Sequence, residues 1–273
     1  MKIISTGYRQ LNDLLAGGFR RKSLTLLAGS LAQGKTTLAL NIAAAVALGR
    51  KPETVLFFCN CECRHALAEG LIAAVSGVPL AIVRRAAFTG HKDLIWPASR
   101  ISASPLYIVD GNWHPKRLTD IIGIATGEII PGSGWKRMCA PALVIIDDLT
   151  GVVDNLWTSP WKFRSSREQY RSVLKGLKEF AVTQDVAVVG IAPVHHRHGK
   201  KQEPRPQDLE KLFGKEKFSD EQIFMRGVVE PSEHKVELHA AGRPGKAVLS
   251  HNPALALFSD ALNGADSFGT LEG

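Results

Sequence analysis

The segment from Gly29 to Thr36, GSLAQGKT, constrains this chain more than any other feature. It follows an apolar run and precedes an apolar helical pattern, which is the setting of a phosphate-binding loop between a strand and a helix. In such a loop, backbone N–H groups and the helix N-terminus surround the phosphates, Lys35 contacts them, and Thr36 offers a hydroxyl to Mg²⁺. A chance glycine-rich turn is the alternative. The expected nucleotide-binding residues are Gly29, Ser30, Gln33, Gly34, Lys35, Thr36, Thr37 and, from a later strand, Asp147.

Short apolar runs alternate with helical patterns through the first two thirds of the chain. Runs that are apolar on both faces are typical of buried parallel strands. The order therefore predicts an α/β fold with a doubly wound, mainly parallel twisted sheet. The expected strands are Ser23–Ala28, Thr54–Cys59, Leu106–Val109, Leu143–Ile146 and Val186–Ala192, and the expected helices are Lys35–Leu48, Arg64–Val75, Pro115–Ala125 and Ser166–Val182.

The last third of the chain changes character. Short strand patterns at Gln222–Gly227, His234–Ala240 and Lys246–Ser250 are separated by turn signals, which predicts antiparallel strands at one sheet edge. The polar segment His195–Asp208 is expected outside the packed core. We expect one globular domain over residues 1–258 and a flexible tail over 259–273.

Composition narrows the setting and the partner class. The formal net charge of +8 favours a polyanionic partner. No apolar run approaches the ~20 residues of a membrane span, and the N-terminus lacks the apolar region of a signal peptide, so we expect a cytoplasmic protein without membrane contact. Cys59, Cys61 and Cys63 alternate without a second paired cluster, which favours reduced thiols over a zinc site.

Acidic residues after two of the predicted strands are the candidates for metal binding and catalysis. Asp147 ends the apolar run Leu143–Ile146, as expected of the carboxylate that holds Mg²⁺ beside a phosphate loop. Asp148 either positions water or caps the following turn. Glu62 lies just beyond Cys59 and is the candidate catalytic carboxylate that orients water, the alternative being a surface glutamate at the start of a helix.

Basic residues cluster in two places after successive strands. In the predicted helix they recur every three or four residues on one face, opposite an apolar stripe that contains Tyr170, Val173, Leu177 and Phe180. Two such elements can line a channel for single-stranded nucleic acid, whereas a solubilising face beside a loop is the plainer alternative. The helix contributes Arg164, Arg167, Arg171, Lys175 and Lys178, the loop contributes Arg197, Lys200 and Lys201, and the candidate DNA-binding residues are Arg164, Arg167, Arg171, Arg197, Lys200 and Lys201.

The chain resembles the C-terminal motor domain of DnaB-type replicative helicases, within the wider RecA/KaiC/RadA group, from about Ser5 to Phe258. The resemblance rests on the phosphate loop, on the entry segment STGY with Leu11 and the Gly17-Gly18 pair, and on the strand VLFF before Glu62. It implies a RecA-like fold and an ATP-hydrolysing ring, with ATP and Mg²⁺ as ligands. The implied partners are single-stranded DNA, further copies of the chain in a hexamer, and other replication proteins.

The resemblance also implies a role for Arg243 as an arginine finger, which would complete the ATP site of a neighbouring subunit and act catalytically with Lys35 and Glu62. An ordinary turn arginine is the alternative. Pro193 stands where the family usually has a glutamine that senses γ-phosphate, and Ala241 stands where it usually has a lysine. Two other functions therefore stay open: a RecA/RadA-like DNA-binding filament ATPase and a non-motor ATP-dependent regulator or loader.

Overall fold

A computed structural model of the chain describes residues 2–60, 64–86, 91–110, 117–128, 140–152, 166–194, 203–230 and 233–260. The first half alternates strands with helices, as its apolar pattern predicts. Its elements are β1 (Ile3–Ile4), α1 (Arg9–Leu14), β2 (Phe19–Arg20), β3 (Ser23–Gly29), α2 (Lys35–Leu48), β4 (Val55–Cys59), α3 (Arg64–Ser76), α4 (Leu80–Ala86), α5 (Ile95–Ala103) and β5 (Leu106–Asp110).

The second half ends in antiparallel strands near His234–Ala240 and Lys246–Ser250, as its turn signals predict. The prediction was wrong for the strand at Gln222–Gly227, which lies inside the sheet and runs parallel to β3, and is antiparallel only to the strand that follows it. Its elements are α6 (Leu118–Thr126), β6 (Leu143–Asp147), α7 (Ser166–Thr183), β7 (Ala187–Pro193), α8 (Pro206–Phe213), β8 (Glu221–Glu230), β9 (Glu233–Ala240), β10 (Ala247–Asn252) and β11 (Leu257–Asp260). No helix within the described ranges combines the length and apolar character that a bilayer span demands.

The described strands confirm the predicted sheet. Nine of them form one sheet in the order β11-β10-β9-β8-β3-β7-β6-β4-β5. The six strands from β8 to β5 in that order run parallel, and β9, β10 and β11 extend one edge in antiparallel fashion. Gly29, the last residue of β3, pairs with Pro193 on one side and Met225 on the other. The phosphate loop therefore leaves the middle of the sheet.

The sheet divides the core into two apolar layers. Along β4, Val55 and Phe57 face the layer formed with α1, α2 and α3, whereas Leu56 and Phe58 face the layer formed with α6, α7 and α8. This alternation follows from the two-residue period of a strand. All four side chains are fully buried, and each contributes about 1.5–3 kcal/mol of transfer free energy.

Helices α4, α5 and α8 were not predicted. Helix α5 contains Pro97 in its first turn, where the missing N–H costs nothing. Helix α8 begins at Pro206, and a carboxylate oxygen of Asp208 accepts the backbone N–H of Arg205 at 3.0 Å. The segment His195–Asp208 was expected outside the packed core, and its last three residues, which form the first turn of α8, are not buried; among its described residues, Pro204 is buried.

The C-terminal strand extends past the predicted domain boundary. Residue Asp260 ends β11, and its two carboxylate oxygens accept the backbone N–H groups of Arg9 at 2.9 Å and Gln10 at 3.2 Å. These bonds tie β11 to the start of α1, so residues 259 and 260 belong to the folded domain. Residues 261–273 lie outside the described part of the chain, and the flexible tail stays a prediction there.

Candidate nucleotide-binding site

The loop between β3 and α2 requires glycine at both of its glycine positions. A Cβ on Gly29 would lie 2.9 Å from Oε1 of Gln33 and 3.0 Å from the backbone oxygen of Met225. Gly34, the residue before α2, has a φ of +84°, and a Cβ there would lie 3.1 Å from Cζ of Phe258. Side chains are therefore excluded at both positions, so the backbone of the loop is exposed to a ligand.

Two hydrogen bonds within the loop hold its shape. Oε1 of Gln33 accepts the backbone N–H of Ser30 at 2.8 Å, and the ammonium group of Lys35 donates to the carbonyl oxygen of Ser30 at 2.6 Å. Lys35 is only 8% exposed. Its charge therefore sits at the N-terminus of a 14-residue helix, where the helix dipole adds to the positive potential.

The loop opens on a cavity of about 390 Å³. This volume is within the usual range of small-molecule sites. The cavity brings Lys35 and Thr36 together with Asp147, although these residues are more than a hundred positions apart in the chain. Gly29, Ser30 and Gln33 shape the same loop. The lining residues are Leu31, Ala32, Gly34, Lys35, Thr36, Thr37, Asp147, Asp148, Ile191, Pro193 and His251.

The two acidic residues after β6 have different environments. Asp147 is 2% exposed and ends β6 at the cavity. Oδ1 of Asp148 accepts the backbone N–H of Gly151 at 3.0 Å and the hydroxyl of Thr150 at 2.5 Å. Asp148 therefore caps the one-turn 3₁₀ helix Leu149–Gly151, which is one of the two roles open to it from sequence, and it also lines the cavity.

Asn60 was not singled out from sequence, yet it joins the ends of two strands at the site. Its backbone N–H donates to the carbonyl oxygen of Asp147 at 2.6 Å, and its side-chain amide donates to the carbonyl oxygen of Asp148 at 3.3 Å. Its side chain packs on Gly151, where an added Cβ would lie 3.3 Å from Cβ of Asn60. Glu62, the candidate catalytic carboxylate, lies outside the described residues, as do Cys61 and Cys63, whereas Cys59 is a buried thiol.

The hairpin formed by β10 and β11 supplies two further residues at the loop. The ring of His251 stacks on Phe258 with centroids 4.3 Å apart and an interplanar angle of 13°. Burial, and to a lesser degree the nearby His234, lowers the pKa of His251, which favours the neutral ring. Sequence reasoning missed both residues, because more than two hundred residues separate them from the loop.

Helix α7 has the predicted apolar stripe, with Val173, Leu177 and Phe180 buried. Its described basic residues have partners within the chain. Arg167 donates to the carbonyl oxygen of Lys211 at 3.0 Å, Arg171 pairs with Glu216, Lys175 lies 3.9 Å from Glu179, and Lys178 pairs with Asp220 at 2.6 Å. Arg164, Arg197, Lys200 and Lys201 lie outside the described residues.

The structure does not bring Arg243 to the cavity of its own chain. Strand β8 runs parallel to β3 with Glu221 opposite Thr25, and β9 returns antiparallel to end at Ala240, opposite Ile223. The turn that carries Arg243 therefore lies at the end of the sheet where β3 begins, whereas the phosphate loop lies where β3 ends.

Comparison with known proteins relates this arrangement to one family. The family described as the DnaB-like helicase C terminal domain matches residues 3–212. The chain is 27% identical over 197 residues to the replicative DNA helicase DnaB of Treponema pallidum (strain Nichols), and 27% identical over 194 residues to that of Leifsonia xyli subsp. xyli (strain CTCB07). These matches cover 70% of this chain but only 40% and 39% of the two helicases. The chain thus spans about two fifths of the length of these curated relatives.

Solved structures share the fold at low sequence identity. A DnaB-like replicative helicase, described with its interactions with primase, aligns with a TM-score of 0.75 and 19% identity over 94% of this chain and 62% of its own. A second structure, described as an ATPase domain, aligns with a TM-score of 0.75 and 20% identity, covering 95% of this chain and 91% of its own. The RadB recombinase aligns with a TM-score of 0.55 and 19% identity over 94% of this chain and 99% of its own. The predicted RecA-like fold is confirmed.

Proposed function

The chain belongs to the family of DnaB-like helicase C-terminal domains, and on that premise we propose that it hydrolyses ATP to move along single-stranded DNA during replication. The observation that carries the proposal is the cavity shared by Lys35, Thr36 and Asp147. It joins a cationic loop to a buried carboxylate on a separate strand, which is the combination that a magnesium-bearing triphosphate requires.

The donors at the cavity fit Mg²⁺. The hydroxyl of Thr36 and the carboxylate of Asp147 are hard oxygen ligands of the kind that Mg²⁺ prefers, and both line the same space. These two residues would hold the ion, which neutralises charge on the phosphates when bound. Lys35 contributes a further positive charge at the N-terminus of α2.

The water that attacks the terminal phosphate needs a group that orients it. We assign this role to Glu62, which follows Asn60 by two residues. Asn60 is bonded to the backbone of Asp147 and Asp148, so the chain that leads to Glu62 starts from the metal-binding end of the sheet. Ile191 and Pro193 provide an apolar part of the cavity wall.

DNA binding and assembly complete the proposal. The net charge of +8 and the basic residues Arg164, Arg167, Arg171, Arg197, Lys200 and Lys201 support contact with a phosphate backbone. The remoteness of Arg243 from its own phosphate loop supports a role at the site of another subunit, in a homo-oligomer that we propose to be a hexameric ring. Other replication proteins are further proposed partners, and the proposed location is the cytoplasm.

One observation favours a second candidate. Pro193 lines the cavity without a side-chain amide, whereas the resembling helicases usually have a glutamine there. A chain with this substitution suits a regulator or loader that binds ATP without motor work. DNA-independent turnover near background, together with intact ATP binding, would favour this candidate over the helicase.

The test compares ATP hydrolysis by the wild-type chain and by Lys35→Ala, with and without single-stranded DNA. We expect DNA to stimulate the wild type and Lys35→Ala to lose hydrolysis. The matched control is Lys51→Ala, which removes an exposed lysine beyond the other end of α2 and should leave turnover unchanged. Hydrolysis that survives in Lys35→Ala, or a wild type that ignores DNA, contradicts the proposal.

A further inference from the structure

The guanidinium group of Arg243 is held by one carboxylate. Its Nε donates to Oε1 and Oε2 of Glu221 at 3.0 and 3.2 Å, and its Nη2 donates to Oε2 at 2.7 Å. The two side chains are only 25% and 17% exposed. Hydrogen bonding to Glu221 raises the pKa of Arg243. Paired, charge-assisted contacts of this kind fix both the position and the plane of a guanidinium group.

The carboxylate that holds Arg243 is itself rigidly placed. Glu221 is the first residue of β8 and lies opposite Thr25 in the central strand β3. The turn that carries Arg243 is also bonded to β8, because the backbone N–H of Ala241 donates to the carbonyl oxygen of Gln222 at 2.9 Å. The position of Arg243 is therefore set from the middle of the sheet and does not depend on the turn alone.

The contact leaves part of the guanidinium group available. A guanidinium carries five N–H donors. The Nε donor and one Nη2 donor are used by Glu221, and the remaining three have no hydrogen-bond partner among the described residues. These donors include both on Nη1, the edge of the group that points away from the carboxylate. An anion can therefore bind Arg243 without displacing Glu221.

An anion bound to Arg243 cannot be the phosphate group held by the phosphate loop of the same chain. Four residue steps along β3 separate Thr25, the level of Glu221, from Gly29, the level of the loop. At a rise of about 3.3 Å per residue, these four steps span about 13 Å along the sheet. Arg243 lies beyond Thr25, at the end away from the phosphate loop. We propose that Glu221 is a positioning residue, which holds Arg243 with its free donors directed toward the nucleotide of a second copy of this chain. This inference rests on the proposed function.

The test is a double-mutant cycle on the full chain, read as kcat and KM of DNA-stimulated ATP hydrolysis. We expect Glu221→Gln to lower kcat about tenfold with little change in KM, because coupled residues typically interact by 0.5–3 kcal/mol and a tenfold change corresponds to about 1.4 kcal/mol. Arg243→Ala should lower kcat by about 10³. Glu221→Gln in the Arg243→Ala background should cost nothing more.

The matched control is Glu237→Gln, which breaks a carboxylate pair with Lys246 in the same hairpin without contacting Arg243. It should keep kcat within about twofold, while thermal unfolding reports any loss of stability in each variant. A folded Glu221→Gln with unchanged or raised kcat overturns the inference, and so do losses that multiply in the double variant. If the wild type hydrolyses ATP and Arg243→Ala is equally active, the inference about Glu221 fails but the proposed function does not. If the wild type does not hydrolyse ATP, both fail.

Discussion

Replacement of Phe258 by alanine should destabilise the fold and weaken nucleotide binding together. The side chain of Phe258 is 0% exposed, stacks on His251 and packs on the backbone of Gly34 at the start of α2. Truncation of a buried phenylalanine costs about 3–5 kcal/mol, from lost transfer free energy and the cavity left behind. We expect a loss at the lower end, about 3 kcal/mol, because the bordering hairpin is an edge of the sheet and relaxes more readily than its centre.

Urea unfolding measures this loss as a lower midpoint with an unchanged slope. The matched control is Phe218→Ala, which truncates a half-buried phenylalanine of the other layer and should cost about 1 kcal/mol. ATP affinity, measured by titration under native conditions, should fall for Phe258→Ala and stay unchanged for Phe218→Ala, since Phe258 lies against Gly34 whereas Phe218 packs in the other apolar layer. A loss below about 1 kcal/mol, or an unchanged affinity in Phe258→Ala, would refute the idea that this hairpin supports the loop.

Three further predictions concern the same site. Asp148→Ala should lose about 1 kcal/mol in urea unfolding, because it removes the cap of a 3₁₀ turn, yet it should keep magnesium-dependent ATP affinity, which Asp147→Ala should lose. Gly29→Ala should reduce ATP affinity in a binding titration at least about tenfold, because its methyl group would meet Gln33 and the Met225 carbonyl. A Gly29→Ala variant that binds ATP with wild-type affinity would contradict the requirement for glycine at this position. The lowered pKa of His251 means that the unfolded chain binds a proton more readily at this residue, so the free energy of unfolding should fall as the pH drops below about 6.5. Between about pH 7.5 and 5.5, the free energy of unfolding should fall less for His251→Phe than for the wild type. Identical pH profiles for the two proteins would contradict this prediction.

Much of the sheet was predictable because its signals are local. Five of the six parallel strands are short and apolar on both faces, so each appears as a continuous run between polar turns, and all five were found to within one residue. Helix α2 was found with both ends as predicted, since the phosphate loop defines its start and Gly49 follows its end. Helices α4, α5 and α8 were missed because each has only seven to nine residues, which is too short for an apolar pattern to separate a helix from a loop.

The basic face of α7 illustrates a different limit. Periodicity correctly separated its buried stripe from its charged face, but it could not show that Glu216 and Asp220, from a segment far along the chain, neutralise Arg171 and Lys178. Charge counted along one helix overestimates the free charge, because the partners come from another element. DNA contact by this helix remains a prediction, and the helix has less unpaired positive charge for it than the sequence suggests.

Sequence alone predicted the chemistry of the candidate nucleotide site: the glycines, Lys35 and Thr36 are close together in the chain, and the roles expected of them depend on backbone geometry that a strand, loop and helix impose locally. Tertiary structure decided what surrounds them. The order of the strands delivers Asp147, Pro193 and His251 to one cavity and carries Arg243 to the opposite end of the sheet. Such proximity arises because strands distant in sequence pair through hydrogen bonds and bury shared apolar surface, and no local pattern records which strand lies beside which.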